Sequence, residues 1–458
     1  MKQSSRMNPS VILTSLIVLL APLAAGAKPP DDSLPLTAFV DVTVIPAYGD
    51  RHHDHQTVLV QGDRIIAAGP APKIRAPRGA RLLGRPGQIL APGLVDMHVH
   101  IFEPKDGVLF LANGVTTVRN MAGRPDTDAL AARIAGGDAP GPRIYSSGPI
   151  IDGPSEPTTL DVAAEIRKRV DATADHPYIA AKLYEHLAPD VFAMAVGVAR
   201  RRGLQVYAHV PLGMSVRDVL ALRIDSIEHL TGFDRTLAPS SHSDWDQERW
   251  TAIDDSLVAP LARDVATSRV WNTATLVTWL AAERGFADID AAEHAPLYRF
   301  ATPRLRKHWR DLYDQERQEH DPARAWQLAQ RGHAARLAVV RALHEAGAGL
   351  LIGTDAPQPF LYPGYSLHDE LAFHVDAGIP VRDVLRADTI DAARFLRQER
   401  EFGLIAVGAR ADLLLLDGNP ETGLETLRSP AGVMAAGRWY DALALRRMQD
   451  EVAKKNAE

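Results

Sequence analysis

The sequence predicts an α/β protein: a (β/α)8 TIM barrel with a small β-sandwich domain built from both chain ends. Three observations predict this. Short apolar strands alternate with amphipathic helices through the middle of the chain, β-hairpin patterns flank that middle on both sides, and 458 residues exceed what a single core ordinarily holds. The composition fits a globular protein, with 46% hydrophobic and 24% charged residues. A formal net charge of -6 provides no basic face, which argues against a nucleic-acid partner.

In chain order, Lys2 and Arg6 precede an apolar run over 11–20 that leads into Ala25-Gly26-Ala27. This is the order of a secretory signal peptide over 1–27, with an uncleaved membrane anchor as the alternative. Cleavage after Ala27 implies a periplasmic or secreted protein without lasting membrane association. The chain has no cysteine, so neither disulfides nor thiolate metal sites can form, and any metal must be held by nitrogen and oxygen.

Residues 28–90 read as the first part of the sandwich, with hairpin patterns such as 39–45 and 57–60 before Gly62-Asp63. The barrel is expected over 91–402. Its eight strand candidates are 93–100, 115–121, 143–150, 179–184, 205–210, 226–230, 270–276 and 350–355. Helical runs at 163–174, 191–202 and 326–346 separate several of them, and a charged stretch at about 281–324 reads as a helical insertion. Residues 403–445 return to β patterns and complete the sandwich, leaving 446–458 as a tail.

Side chains two apart in a strand face the same way, so His98 and His100 present paired imidazoles at the C-terminal end of the first barrel strand. In a barrel that end carries the active site, and paired imidazoles suit a divalent metal. Lys182 ends the apolar run Ile179-Ala180-Ala181; burial there favours the neutral amine, which can take up carbon dioxide as a carbamate able to bridge two cations. His209, His229 and Asp355 each close a further apolar strand, so five strands place ligand-type residues at one rim. Tyr184 lies on the same side as Lys182 and could grip a substrate carbonyl or carboxylate. Arg119, ending the second strand, could pair with a substrate carboxylate or equally with a barrel acid.

Other polar runs have simpler readings. Arg51-His52-His53-Asp54-His55 is expected to be a solvated hairpin turn. His368, Asp369 and Glu370 fit helix N-terminal capping, and Tyr362 and Tyr365 are placed near the pocket mouth.

The string Ala91-Pro92-Gly93-Leu94-Val95-Asp96-Met97-His98-Val99-His100 closely resembles the opening motif of the amidohydrolase superfamily. The resemblance continues in Gly114-Val115-Thr116-Thr117-Val118-Arg119, Glu228-His229-Leu230, Gly353-Thr354-Asp355 and Gly408-Ala409-Arg410-Ala411-Asp412-Leu413, and so covers most of the chain. The order His-x-His, Lys, His, His, Asp looks like the binuclear, carbamylated-lysine subtype. The resemblance implies that His98, His100 and Asp355 bind a more buried metal, that His209 and His229 bind a more exposed one, and that carbamylated Lys182 bridges them. A hydroxide shared by the cations would be the nucleophile, and Asp355 would orient it and carry its proton to the leaving nitrogen. Imidazole and carboxylate ligands suit zinc, with manganese or cobalt as alternatives.

Within the superfamily the chain looks similar to the imidazolonepropionase-like branch, including exported members and Xaa-Pro dipeptidase-like relatives. Imidazolonepropionase and the deaminases use one metal and lack the bridging lysine, so Lys182 favours cleavage of an amide or peptide C–N bond in a small substrate. The segment Ser147-Gly148-Pro149-Ile150-Ile151-Asp152-Gly153 lacks a histidine that some relatives carry there. Ester, lactone or organophosphate hydrolysis on the same metals is the alternative activity. A binding protein on a degenerate barrel would be expected to lack ligands. A homo-oligomer remains open.

Overall fold

The computed structural model describes residues 35–154 and 161–457. The leader expected over 1–27 lies outside the described residues. The described chain opens with β1 (Leu36–Val44), β2 (His53–Gln61), β3 (Arg64–Pro70), β4 (Arg81–Leu83) and β5 (Ile89–Pro92). The barrel strands follow as β6 (Leu94–Val99), β7 (Val115–Asn120), β8 (Arg143–Ile151), β9 (Ala180–Leu183), β10 (Gln205–Ala208), β11 (Ser226–Glu228), β12 (Trp271–Thr273) and β13 (Leu350–Leu351). Each matches one of the eight segments read from the sequence, and all but β8 are shorter than the apolar run that marked them.

Strands β6 to β13 pair in sequence order in one parallel sheet. Every residue of β6 and β7 is buried, as expected for parallel strands covered on both faces. The ring closes between its first and last members. Met97 N donates to Ile352 O at 2.8 Å, Asp355 N to His98 O at 2.6 Å, and His100 N to Ala356 O at 2.8 Å. Gly353 permits this approach, because a Cβ there would lie 2.6 Å from His98 N. Asp96 bolts the same seam, its Oδ1 accepting from Thr354 N at 3.0 Å and its Oδ2 from Thr354 Oγ1 at 2.7 Å. Burial pushes its carboxyl up to about 7 against these hydrogen bonds.

The expected helices are Val162–Ala174, Pro189–Arg201 and Pro322–Glu345, the last two starting earlier than the expected 191 and 326 because proline opens each. The insertion is helical, with Leu276–Ala287, Ile289–Glu293 and Pro303–Glu316. It is pinned to the loop after β13 by Phe360, whose ring centroid lies 5.0 Å from Trp309 and 5.9 Å from Tyr313. Tyr362 and Tyr365 belong to this packing, and Tyr362 also lines a cavity with Val277, Phe360 and Phe373. Tyr362 is buried beside Trp309, and Tyr365 stacks on Phe300 at 5.1 Å. Glu370 caps a different helix from the one it sits on, accepting from Leu276 N at 3.0 Å and Val277 N at 2.8 Å.

After the barrel come β14 (Leu413–Leu416), β15 (Gly432–Ala435) and β16 (Arg438–Asp441). They join the first strands in one eight-stranded mixed sheet, ordered β16-β15-β14-β5-β1-β2-β3 with β4 beside β1. The two chain ends meet where β14 runs antiparallel to β5, Leu413 opposite Pro92. In a flat sheet, four strand spacings of about 4.8 Å would put β16 roughly 19 Å from β1. Phe39 and Trp439 are instead 5.6 Å apart between ring centroids, so the sheet folds over its own core. Phe39, Val58, Val60, Leu413, Leu415 and Met434 fill that core from both ends.

The histidine-rich run straddles the entry to β2, which begins at His53, instead of lying wholly in the turn. His52 pairs with Glu421 at 2.8 Å and His55 with Asp41 at 2.7 Å. The stretch expected as a tail is helical from 446 to 457, within the helix Ala442–Ala457, which buries Leu445, Val452 and Asn456 along one side.

Candidate metal centre

Six side chains from five barrel strands converge at the C-terminal rim, all of them buried. His98 lies in β6 and His100 just beyond it, Lys182 lies in β9, and His209, His229 and Asp355 follow β10, β11 and β13. His100 Nε2 is 2.9 Å and His98 Nε2 3.4 Å from Asp355 Oδ1. The rings of His98 and His229 are 4.3 Å apart between centroids, and those of His209 and His229 are 4.9 Å apart. One ligand atom each from His98, His229 and Asp355 lie within 4.8 Å of one another.

These side chains are poorly satisfied by the protein itself. His98 Nε2, Lys182 Nζ and both ring nitrogens of His209 are buried without a hydrogen-bond partner among the described residues. Native interiors rarely leave such groups unpaired, and a cation is one thing that satisfies several lone pairs at once. Protonation states agree. Burial, reinforced by the charge of Lys182, pushes His98 and His209 well below the ordinary imidazole range, and burial lowers His229 likewise although Asp355 opposes it. His98 and His209 are therefore neutral, the form in which imidazole binds a metal. Burial brings the Lys182 ammonium down to about 8 against the pull of Glu228, so the free amine is accessible near neutrality. For Asp355, burial would raise the carboxyl, but His229, the His100 hydrogen bond and Lys182 together hold it below its usual value. The donor set of imidazole, carboxylate and an uncharged amine fits a borderline divalent cation.

The backbone is bent to make this arrangement. His229, Thr275 and Asp355 have φ of 60°, 45° and 62°, the left-handed region that non-glycine residues enter at a cost of order 1 kcal/mol each. Thr275 uses the bend to place its Oγ1 2.8 Å from His229 Nδ1, which leaves Nε2 to face the centre. Tyr184 stacks on His209 with centroids 3.9 Å apart, and its ring lies 5.3 Å from Lys182 Nζ.

Arg119 was read with two partners open, and the structure supplies the barrel acid. It is fully buried, and Nη2 donates to Glu228 Oε2 at 2.9 Å and to Thr273 Oγ1 at 2.9 Å. Nε donates to Met97 O at 2.5 Å, and the guanidinium lies 4.4 Å from the Tyr207 ring centroid. This corrects its candidacy as a substrate contact, since no face of it reaches the rim. Two residues near the centre carried no role in the sequence reading, Glu228 and Thr275. Strand alternation puts Glu228 and His229 on opposite faces, and only the left-handed turn at His229 brings both inward.

The sequence profile of the Amidohydrolase family matches residues 89–440, and the chain belongs to that family. A bottromycin amidohydrolase structure shares 28% identity and a TM-score of 0.72, the match covering 92% of this chain and 90% of that one. A Xaa-Pro dipeptidase with bound methionine in its active site has the same fold, at 17% identity and a TM-score of 0.65 over 89% of this chain and 100% of that one. Over a shorter stretch of 89 residues the sequence is 35% identical to Adenine deaminase 3 of Rhizobium johnstonii, spanning 19% of this chain and only 14% of that protein.

Proposed function

We propose that the chain is an exported, metal-dependent amidohydrolase that cleaves an amide or peptide C–N bond in a small substrate of dipeptide or N-acyl amino acid type. One observation carries the proposal: ligand-type side chains from five strands meet at the rim, and those of His98, Lys182 and His209 keep buried nitrogens without a hydrogen-bond partner among the described residues. In this reading His98, His100 and Asp355 would hold one divalent cation, His209 and His229 would hold a second, and Lys182, as its carbamate, would serve both. Such cations, zinc foremost, supply an activated water and polarise the substrate carbonyl.

The remaining work falls to the chain. The lowered carboxyl of Asp355 keeps it ionised at neutral pH, ready to orient the attacking water, accept its proton and pass that proton to the leaving nitrogen. Burial raises the Tyr184 hydroxyl above its ordinary range, so it stays protonated and can donate to a substrate carbonyl or carboxylate. Burial lowers His98, His209 and His229, so protons do not compete with the cations for their ring nitrogens.

The test is metal content per chain together with turnover of a panel of dipeptides and N-acyl amino acids. Adenine belongs in the panel because of the local likeness to an adenine deaminase. Hydrolysis of an amide lost on chelation and restored by divalent metal is expected. Activity indifferent to chelation contradicts the proposal. Export is tested separately by the mass of the mature protein, expected to begin at Lys28.

A further inference from the structure

We infer that Glu228, clamped by Arg119, is the positioning residue that fixes His98 with Nε2 toward the metal centre and sets how tightly the cation on His98 is held. The inference rests on the metal reading above. An imidazole has two nitrogens, and the acceptor on one decides which face remains for a ligand. His98 Nδ1 lies 2.7 Å from Glu228 Oε2, while Nε2 makes no hydrogen bond and is 3.4 Å from Asp355 Oδ1. His98 sits in β6, Glu228 in β11 and Arg119 in β7, so the contact crosses the barrel interior between strands that are not all neighbours. All three side chains are fully buried, and no solvent competes for the proton on Nδ1.

Glu228 has little freedom to move. Arg119 Nη2 reaches its two oxygens at 3.1 and 2.9 Å, and the Ser226 hydroxyl donates to Oε1. Arg119 is itself held by Met97 O and Thr273 Oγ1 and lies over Tyr207 and Phe395. Among the described residues, His229 and His209 lack such support. His229 Nδ1 meets a neutral hydroxyl, that of Thr275, at 2.8 Å, and the carboxylate nearest His209 Nδ1, Glu185, stands 3.8 Å away. Of His98, His209 and His229, only His98 is backed by a buried carboxylate among the described residues. A carboxylate behind a ligand imidazole raises its basicity and fixes its tautomer, and loss of such a partner costs about 10–100-fold in metal affinity.

The test uses the full chain and reads metal binding, not turnover. Glu228→Gln keeps the shape and an acceptor oxygen but removes the charge. Competition with a chromophoric chelator for zinc is expected to show the tighter affinity reduced about 10–100-fold in this variant, and by less in Thr275→Val. A folded Glu228→Gln protein, shown by cooperative melting of the metal-free form, with zinc affinity within about twofold of the unaltered chain overturns the inference. If Glu228→Gln does not fold, the unaltered chain loaded with cadmium-113 and labelled with nitrogen-15 at histidine decides. Coupling of cadmium to His98 Nε2 with a proton on Nδ1 is expected, and coupling to Nδ1 overturns the inference. An unaltered chain that binds no divalent cation overturns the metal reading itself, which separates the two failures.

Discussion

Two layers of the barrel interior use buried ionisable side chains to opposite ends. In the lower layer Asp96, Arg119 and Glu228 are buried and bonded: Arg119 alone reaches Met97, Ser226, Glu228 and Thr273. One layer up, at the rim, His98 Nε2, Lys182 Nζ and the ring nitrogens of His209 are equally buried and make no hydrogen bond. A folded chain tolerates the cost of unpaired buried donors and acceptors where a ligand completes them, and it saturates those that only hold the frame. The lower layer is the scaffold that positions the ligands, and the upper layer is the site.

That division sorts substitutions by effect. Asp355→Asn keeps the shape of the rim but removes the proton carrier, and kcat is expected to fall by about 10^2–10^4-fold with the fold intact by circular dichroism. Arg119→Met strikes the layer below, leaving Glu228 buried without its cation; a loss of about 3–5 kcal/mol in denaturant unfolding is expected. Should Arg119→Met instead keep its stability and merely weaken substrate binding, the two layers would not be distinct. Gly353→Ala forces a methyl group against His98 N at the seam, and about 1–3 kcal/mol of stability is expected to be lost, read from the same unfolding curves.

The smallest effect is a pH slope. His209 is held neutral, its folded pKa pushed well below the ordinary value of 6.5 by burial and then by Lys182. The unfolded chain therefore takes up this proton first, and the stability tied to it is full above pH 6.5 and is lost as the pH falls below that value. In the metal-free protein the unaltered chain is expected to lose about 1.4 kcal/mol per pH unit more than His209→Asn does across that range. Parallel curves would show that His209 is solvated instead.

Much of this was legible before any coordinates. The eight barrel strands are short apolar runs bounded by turns, and residues closing such runs must sit at the rim, which is why His98, His100, Lys182, His209, His229 and Asp355 could be named together. The supporting residues were hidden for particular reasons. Glu228 faces inward only because His229 adopts a left-handed backbone, and Thr275 reaches His229 only through a similar bend. Arg119 was ambiguous because sequence does not tell how deep in a barrel a side chain ends. Glu370 looked like the cap of its own helix, whereas helix Leu276–Ala287, far away in sequence, receives it. Tyr362 and Tyr365 follow Asp355 closely, but the insertion draws them into its own apolar packing.

Lys182 separates a barrel with one cation from one with a bridged pair, so it offers the most direct measurement. Metal analysis and amide turnover are compared between the unaltered chain and Lys182→Ala. Two divalent ions per unaltered chain are expected, with loss of at least one ion and a fall in turnover of about 100-fold or more in the variant. Fewer than one ion in the unaltered chain, or undiminished turnover in Lys182→Ala, would contradict the two-metal hydrolase.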